Sequence, residues 1–323
     1  MCPDDSAFSI EPLAFDHLLT QQSINELTNK PLLTTADIIK KVRELEIISK
    51  KITTQLFTGE YHSAFKGKGM RFREVREYYH GDDVRFIDWN VSARYAHPFT
   101  KVFEEERELT VVLLVDVSAS SLFGTVHRNK KDLITEIGSV LTFSAINNND
   151  KVGVIFFSDK VEKYIPPKKG KEHALYIVRE LLTAVPKNTG TNISEALKFF
   201  QRSNYQKSIA FIMSDFIDEN YEHLLRVLSG RHDVIGMKVY DKMDSQLPDI
   251  GMIKIEDAES KKEQWLNTSD ALVRYNYHQN FIDQSSISKN IFKKAGADLL
   301  HIRTDENYVK VLQQFFTKRK KIH

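Results

Sequence analysis

Three short polar stretches carry residues able to do chemistry. DVSAS, at 116 to 120, spaces Asp116, Ser118 and Ser120 two apart, so a turning loop aims three oxygens the same way. NTGTN, at 188 to 192, offers Thr191 just ahead of a helix, and SDFIDE, at 214 to 219, offers Asp215 just after a strand. The set consists of carboxylates and hydroxyls, without sulfur or imidazole. Such donors suit a hard cation, Mg²⁺ first and Mn²⁺ or Ca²⁺ next. Hydroxyl ligands are neutral, so part of the ion's charge would stay uncompensated and an open position would draw a carboxylate from another molecule. The chemistry implied is binding. DVSAS by itself equally suits an ordinary strand-to-helix turn, and Thr191 equally suits a helix cap, with Thr189 as a rival donor.

Catalytic readings lack their central devices. The sequence has no GxSxG elbow and no GxxxxGK[ST] phosphate loop. A phosphatase using Asp116 as nucleophile would want a second acid at position 118, where Ser118 stands. The alternative function is a Mg²⁺-dependent hydrolase of phosphate esters drawing on Asp82, Asp83 or Asp215, and a third is a metal-free scaffold. The GDDVRFIDWN cluster, with Asp82, Asp83, Asp88 and Trp89, is explained at less cost by a Gly81-Asp82-Asp83 turn and ion pairing with Arg85 or Arg94. His80 and His97 form no ligand pair. Glu104, Glu105 and Glu106 read as a solvated charge run, and the KRKK tail as a solvated helix end.

The elements that must position these loops follow from periodicity. Val111 to Val115 is an unbroken apolar run, the pattern of a strand covered on both faces in a parallel sheet. LITEIGSVLTFSAI, ALYIVRELLTAV, NISEALKFFQRS and YEHLLRVLS read as helices. They alternate with the strands KVGVIFFS, KSIAFIMSD and HDVIGMKVY, while VEKYIPP pairs antiparallel with the first of these. Alternation at this spacing predicts an α/β fold with a doubly wound, mainly parallel sheet. All three polar loops then fall beyond the carboxyl ends of strands, where open α/β sheets bind ligands.

Around this core, residues 1–59 read as an arm and a helix with Ile38, Val42, Leu45 and Ile48 as its packing stripe. Residues 60–108 read as a small β-rich segment, and 109–323 as the α/β domain with a β-hairpin insertion at about 241–267. A long helix near 277–294, the strand DLLHIRT and a closing helix complete the chain.

With 323 residues and 41% apolar content, the chain can build a substantial core. A formal net charge of +2 implies neither nucleic acid nor a membrane surface as partner. The single cysteine, Cys2, excludes intramolecular disulfides and thiolate metal clusters. The acidic amino terminus lacks the pattern of a secretory signal, and no apolar run approaches the length needed to span a bilayer. The expected location is the cytoplasm.

DxSxS, a G-T-N opening a helix and a strand-terminal aspartate together resemble the metal-ion-dependent adhesion site of von Willebrand factor A domains. The stretch GEYHSAFKGKGMRFREVREYYHGDDVRFIDWNVSAR, followed by FEEERELTVVLLVDVSAS, narrows this. It closely resembles bacterial members of the family called domain of unknown function 58, from about Leu45 to Tyr240. The resemblance implies a von Willebrand A-like, Rossmann-type fold with Asp116, Ser118 and Ser120 as first-loop metal ligands, Thr191 as the second and Asp215 as the third. It also implies a non-enzymatic role as adaptor or substrate-recruiting partner of a MoxR-type AAA+ ATPase. Many relatives carry transmembrane helices that this sequence lacks.

Overall fold

The computed structural model describes residues 18–20, 35–56, 71–104, 109–124, 128–186, 188, 190–203, 205–218, 220–257 and 263–320. In chain order the elements begin with β1 (Leu18–Thr20), α1 (Thr35–Leu56), β2 (Arg71–Glu77), α2 (Trp89–Tyr95), β3 (Phe99–Glu104) and β4 (Thr110–Asp116). There follow α3 (Lys130–Asn147), β5 (Lys151–Phe157), β6 (Val161–Lys168), α4 (Lys171–Thr183), α5 (Ile193–Arg202), β7 (Ile209–Ser214) and α6 (Glu222–Ser229). The last are β8 (Asp233–Tyr240), α7 (Lys242–Ser245), β9 (Met252–Asp257), β10 (Glu263–Asn267), α8 (Ala271–Ala295), β11 (Asp298–Arg303) and α9 (Tyr308–Lys320).

The principal sheet has six strands in the order β11-β8-β7-β4-β5-β6. All its pairings are parallel except β5 with β6. Renumbered from β4 as first, the order is 3-2-1-4-5-6, so the winding reverses between β4 and β7. A crevice at the carboxyl end of that reversal is the expected ligand position.

The apolar run of β4 is explained by burial on both sides. Val111, Leu113 and Val115 pack with Leu133, Ile137 and Leu141 of α3, Ile177 and Leu181 of α4, and Leu312 and Phe316 of α9. Val112 and Leu114 pack on the opposite face with Leu197 and Phe200 of α5, Leu225 of α6 and Phe292 of α8. Each fully buried side chain of this kind contributes about 1.5–3 kcal/mol of transfer free energy. Two glycines permit close approach: a Cβ on Gly236 would lie 2.5 Å from the Phe292 ring, and one on Gly153 would lie 2.9 Å from the Ile165 carbonyl oxygen and the Pro167 ring.

Helix α1 lies on this body with Val42 and Leu45 of the predicted stripe packed against it, but Ile48 departs from the stripe. Leu45, Ser49 and Ile52 are buried, whereas Ile48 is 43% exposed. Positions 45, 49 and 52 share one helical face, and Leu45 meets Phe143, Ala174 and Val178. A search for apolar spacing passes over Ser49, whose small side chain suits close helix contact, and selects Ile48 on the flank.

Two smaller sheets complete the described structure. β1, β9 and β10 form an antiparallel sheet with β9 central. β2 and β3 pair antiparallel with a bulge between Phe72 and Glu74. No helix among the described residues is long and apolar enough to cross a membrane.

Candidate functional site

Strand β4 delivers Asp116 to the reversal of the sheet, and the loop after it turns at once into a single 3-10 turn over Ala119–Leu122. The loop is buried, so its backbone needs internal partners. Val117 N–H donates to the Phe157 carbonyl, and Ser121 N–H to that of Ser118. The Ser118 N–H donates to Asp116 Oδ1 at 2.9 Å, and the Ser118 and Ser120 hydroxyl oxygens lie 3.0 Å apart. Asp116, Ser118 and Ser120 are at most 3% exposed.

The third loop is tied to the first. Ser214, the last residue of β7, donates its hydroxyl to Asp116 Oδ2 at 2.6 Å, so adjacent Asp215 stands beside Asp116. Burial, then the charge of Asp215, pushes the Asp116 carboxyl up to about 6. Phe216 follows with φ +55, a left-handed conformation costly for an aromatic residue. Its N–H donates to Ser214 Oγ, and its ring packs edge-on against Phe292, 5.0 Å between centroids.

The second loop is held at the same edge. Asn192 N–H donates to the Ser158 carbonyl beyond β5, and Ile193 N–H donates to Asp218 of the third loop at 2.6 Å. Asn192, rather than Thr191, caps α5 by accepting from Glu195 N–H. Thr191 Oγ1 is buried and has no hydrogen-bond partner among the described residues. Thr189 lies outside the described residues.

Sequence reasoning missed the cation of the site. Lys130, the first residue of α3, is 2% exposed, with its ammonium 3.4 Å from Asp215 Oδ2 and 3.1 Å from Asp244 Oδ2. Burial opposes its charge, but Asp244 and Asp215 outweigh burial and hold its pKa above the usual ammonium range. Asp244 Oδ2 also accepts from Asp241 N–H at 2.7 Å, and Asp241 Oδ2 accepts from the Thr304 hydroxyl at 2.6 Å. A lysine in the first turn of a helix opposes the macrodipole. That placement is the one signal the sequence carries.

The structure thus brings Asp116, Ser118, Ser120 and Asp215 together and holds Thr191 on the same sheet edge. The chemistry of these donors fits a hard divalent cation: two carboxylates, two adjacent hydroxyls and a buried hydroxyl oxygen without a partner. Among the described residues no three His, Cys, Asp or Glu side chains gather as a metal cluster.

The other acidic cluster is differently employed. Asp82 accepts from Arg76 and from Tyr79 N–H, Asp83 from Arg85, and Asp88 caps α2 while pairing with Lys101 at 3.3 Å. Its turn uses Gly81 at φ +109. His80 and His97 are exposed. Glu105, Glu106 and Lys321 lie outside the described residues. Arg319 of the basic tail is ion-paired with Asp233 and with Asp298.

The order and direction of the six strands, with one antiparallel edge, make the fold the expected α/β type with a doubly wound, mainly parallel sheet. Among solved structures, the chain is similar to BatB from Bacteroides thetaiotaomicron, with TM-score 0.43 and 15% identity over 66% of this chain and 99% of that one. It is also similar to the SpRpn10 VWA domain, with TM-score 0.35 and 12% identity over 65% and 94%. These likenesses are too loose to bear on function. The uncharacterized protein Rv1480 of Mycobacterium tuberculosis is 28% identical over 311 residues, which span 94% of this chain and 98% of that one. The family model described as protein of unknown function DUF58 matches residues 74–287, and the chain belongs to that family.

Proposed function

We propose that the α/β domain is a non-enzymatic, metal-dependent protein-interaction module. The observation that carries this reading is the buried Thr191 hydroxyl without a partner, on the edge that holds the Ser118–Ser120 hydroxyl pair and two carboxylates. Asp116, Ser118, Ser120, Thr191 and Asp215 would hold Mg²⁺, with Mn²⁺ or Ca²⁺ as substitutes. Bound there, the ion supplies an electrophilic position for a carboxylate of a partner protein. The chain's own residues do the rest. Ser214 and the Ser118 N–H orient Asp116, and the 3-10 turn aligns the two serines.

The family resemblance supports a MoxR-type AAA+ ATPase, or its client, as the partner in the cytoplasm. Asp82 and Asp83, the helpers a phosphate-ester hydrolase would use, already hold arginines of their own segment. The hydrolase reading therefore gains no support from them.

The test is direct binding of a purified MoxR-type ATPase from the same organism to wild type and Asp116→Ala, each with Mg²⁺ and with EDTA. Binding by wild type with Mg²⁺ alone is expected. Equal binding in all four conditions would remove the metal from the interaction, and phosphatase turnover lost in Asp116→Ala would replace the module with an enzyme.

A further inference from the structure

Lys130 places a fixed positive charge inside a site read as a cation site, and its surroundings leave it nowhere else to go. Its ammonium lies between Asp215 and Asp244 and 5.8 Å from the centre of the Phe123 ring, with a side chain 2% exposed. The tie continues through Asp244 to the Asp241 N–H and through Asp241 to Thr304 at the end of β11. A solvent-facing lysine could swing away from an arriving cation. Lys130 is anchored by buried bonds and stays.

Charge balance shows the consequence. Asp116 and Asp215 together carry as much negative charge as a divalent ion carries positive, so with both carboxylates fully available the pull that the neutral hydroxyls leave for a further carboxylate would be modest. A lysine sharing Asp215 withdraws part of that negative charge. The ion is then held less tightly and keeps more positive potential towards its open position. Placing the ammonium at the start of α3, against the helix dipole, costs stability that a neutral residue would spare.

We propose that Lys130 is a positioning residue that sets the charge of the metal site, weakening its grip on the ion so that a partner's carboxylate completes the coordination. The inference rests on the metal reading above. Lys130 acts through Asp215 and touches neither metal nor partner. Asp244 is its counterweight, sharing the ammonium so that Asp215 keeps some charge for the ion.

The experiment is titration of Mn²⁺ by calorimetry at fixed pH into full-length wild type, Lys130→Met, Lys130→Arg and Asp244→Asn, with circular dichroism to verify folding. Lys130→Met is expected to bind Mn²⁺ about 10-fold more tightly and to gain more thermal stability from the ion than wild type does. Lys130→Arg keeps the charge and stays near wild type, while Asp244→Asn loses a negative charge and binds several-fold more weakly. A purely structural lysine predicts that Lys130→Met and Asp244→Asn both weaken binding, and that result overturns the proposal. If Lys130→Met does not fold, unchanged binding by Asp244→Asn overturns it. Absence of binding in wild type and every variant overturns the metal reading and the role of Lys130 with it. Binding by Lys130→Met alone overturns both the metal reading of the native chain and the tuning role, and assigns the cation's place to Lys130 itself.

Discussion

The two ends of the six-stranded sheet both bury polar side chains, yet they use them in opposite ways. At the amino end, Ser208 Oγ and His232 Nδ1 pair at 2.9 Å, Leu109 N–H donates to Asp150, and Arg319 bridges Asp233 and Asp298. At the carboxyl end, hydroxyls and carboxylates gather around Lys130, and Thr191 Oγ1 has no partner among the described residues. A buried serine beside a histidine looks more like chemistry than a threonine does. Residue type is thus the weaker guide: a satisfied pair closes a structure, whereas a buried hydroxyl without a partner among the described residues, at the winding reversal, is the feature that invites a ligand reading.

Four substitutions or titrations test that division, from the largest effect down. Asp116→Ala should lower Mn²⁺ affinity by about 100-fold or more while leaving the circular-dichroism spectrum folded, because it removes a donor from the edge rather than from the core. His232→Gln at the other end should leave that affinity unchanged in the same calorimetric titration. A loss there would break the comparison.

The second concerns acid. Burial pushes His232 down to about 4, so the folded state favours the neutral ring. Its contribution is fully present above the ordinary histidine value and lost as pH falls through about 4. Removing that contribution costs on the order of 3 kcal/mol. Urea midpoints between pH 7 and 4 should decline more steeply for wild type than for His232→Gln.

Third, Arg319→Leu should cost about 1.5 kcal/mol in urea unfolding, mainly by removing the partner of partly buried Asp233 while half-exposed Asp298 stays solvated, again with unaltered metal binding. Smallest, Asn192→Ala removes the cap of α5 and should cost about 1 kcal/mol. Because the Asn192 side chain fixes the first turn of α5 directly after Thr191, its loss should weaken Mn²⁺ binding a few-fold. A capping loss with no change in affinity would separate Thr191 from the site.

Much of the fold was legible because buried strands and amphipathic helices obey one local rule each. Val111 to Val115 are at most 2% exposed, as an unbroken apolar run in a parallel sheet requires. Helix α8 begins at Ala271, earlier than its periodicity suggested, because exposed Leu272 and Tyr275 blur the pattern and the real signal is the Asp270 cap. Asp116, Ser118 and Ser120 were legible as a contiguous motif, and Asp215 as a strand end. Lys130 and Asp244 were not, since their pairing crosses more than a hundred residues and depends on which loops the sheet brings together. The place of Ser49 on the inner face of α1 escaped for a simpler reason: its burial follows helix contact, not hydrophobicity.

The prolines of β6 bear on how this molecule meets others. Pro166 and Pro167 lie in an edge strand drawn tight against Gly153, and neither has an N–H to offer a new neighbour. That margin resists lengthening of the sheet by a guest strand, so stacking of copies edge to edge is discouraged there.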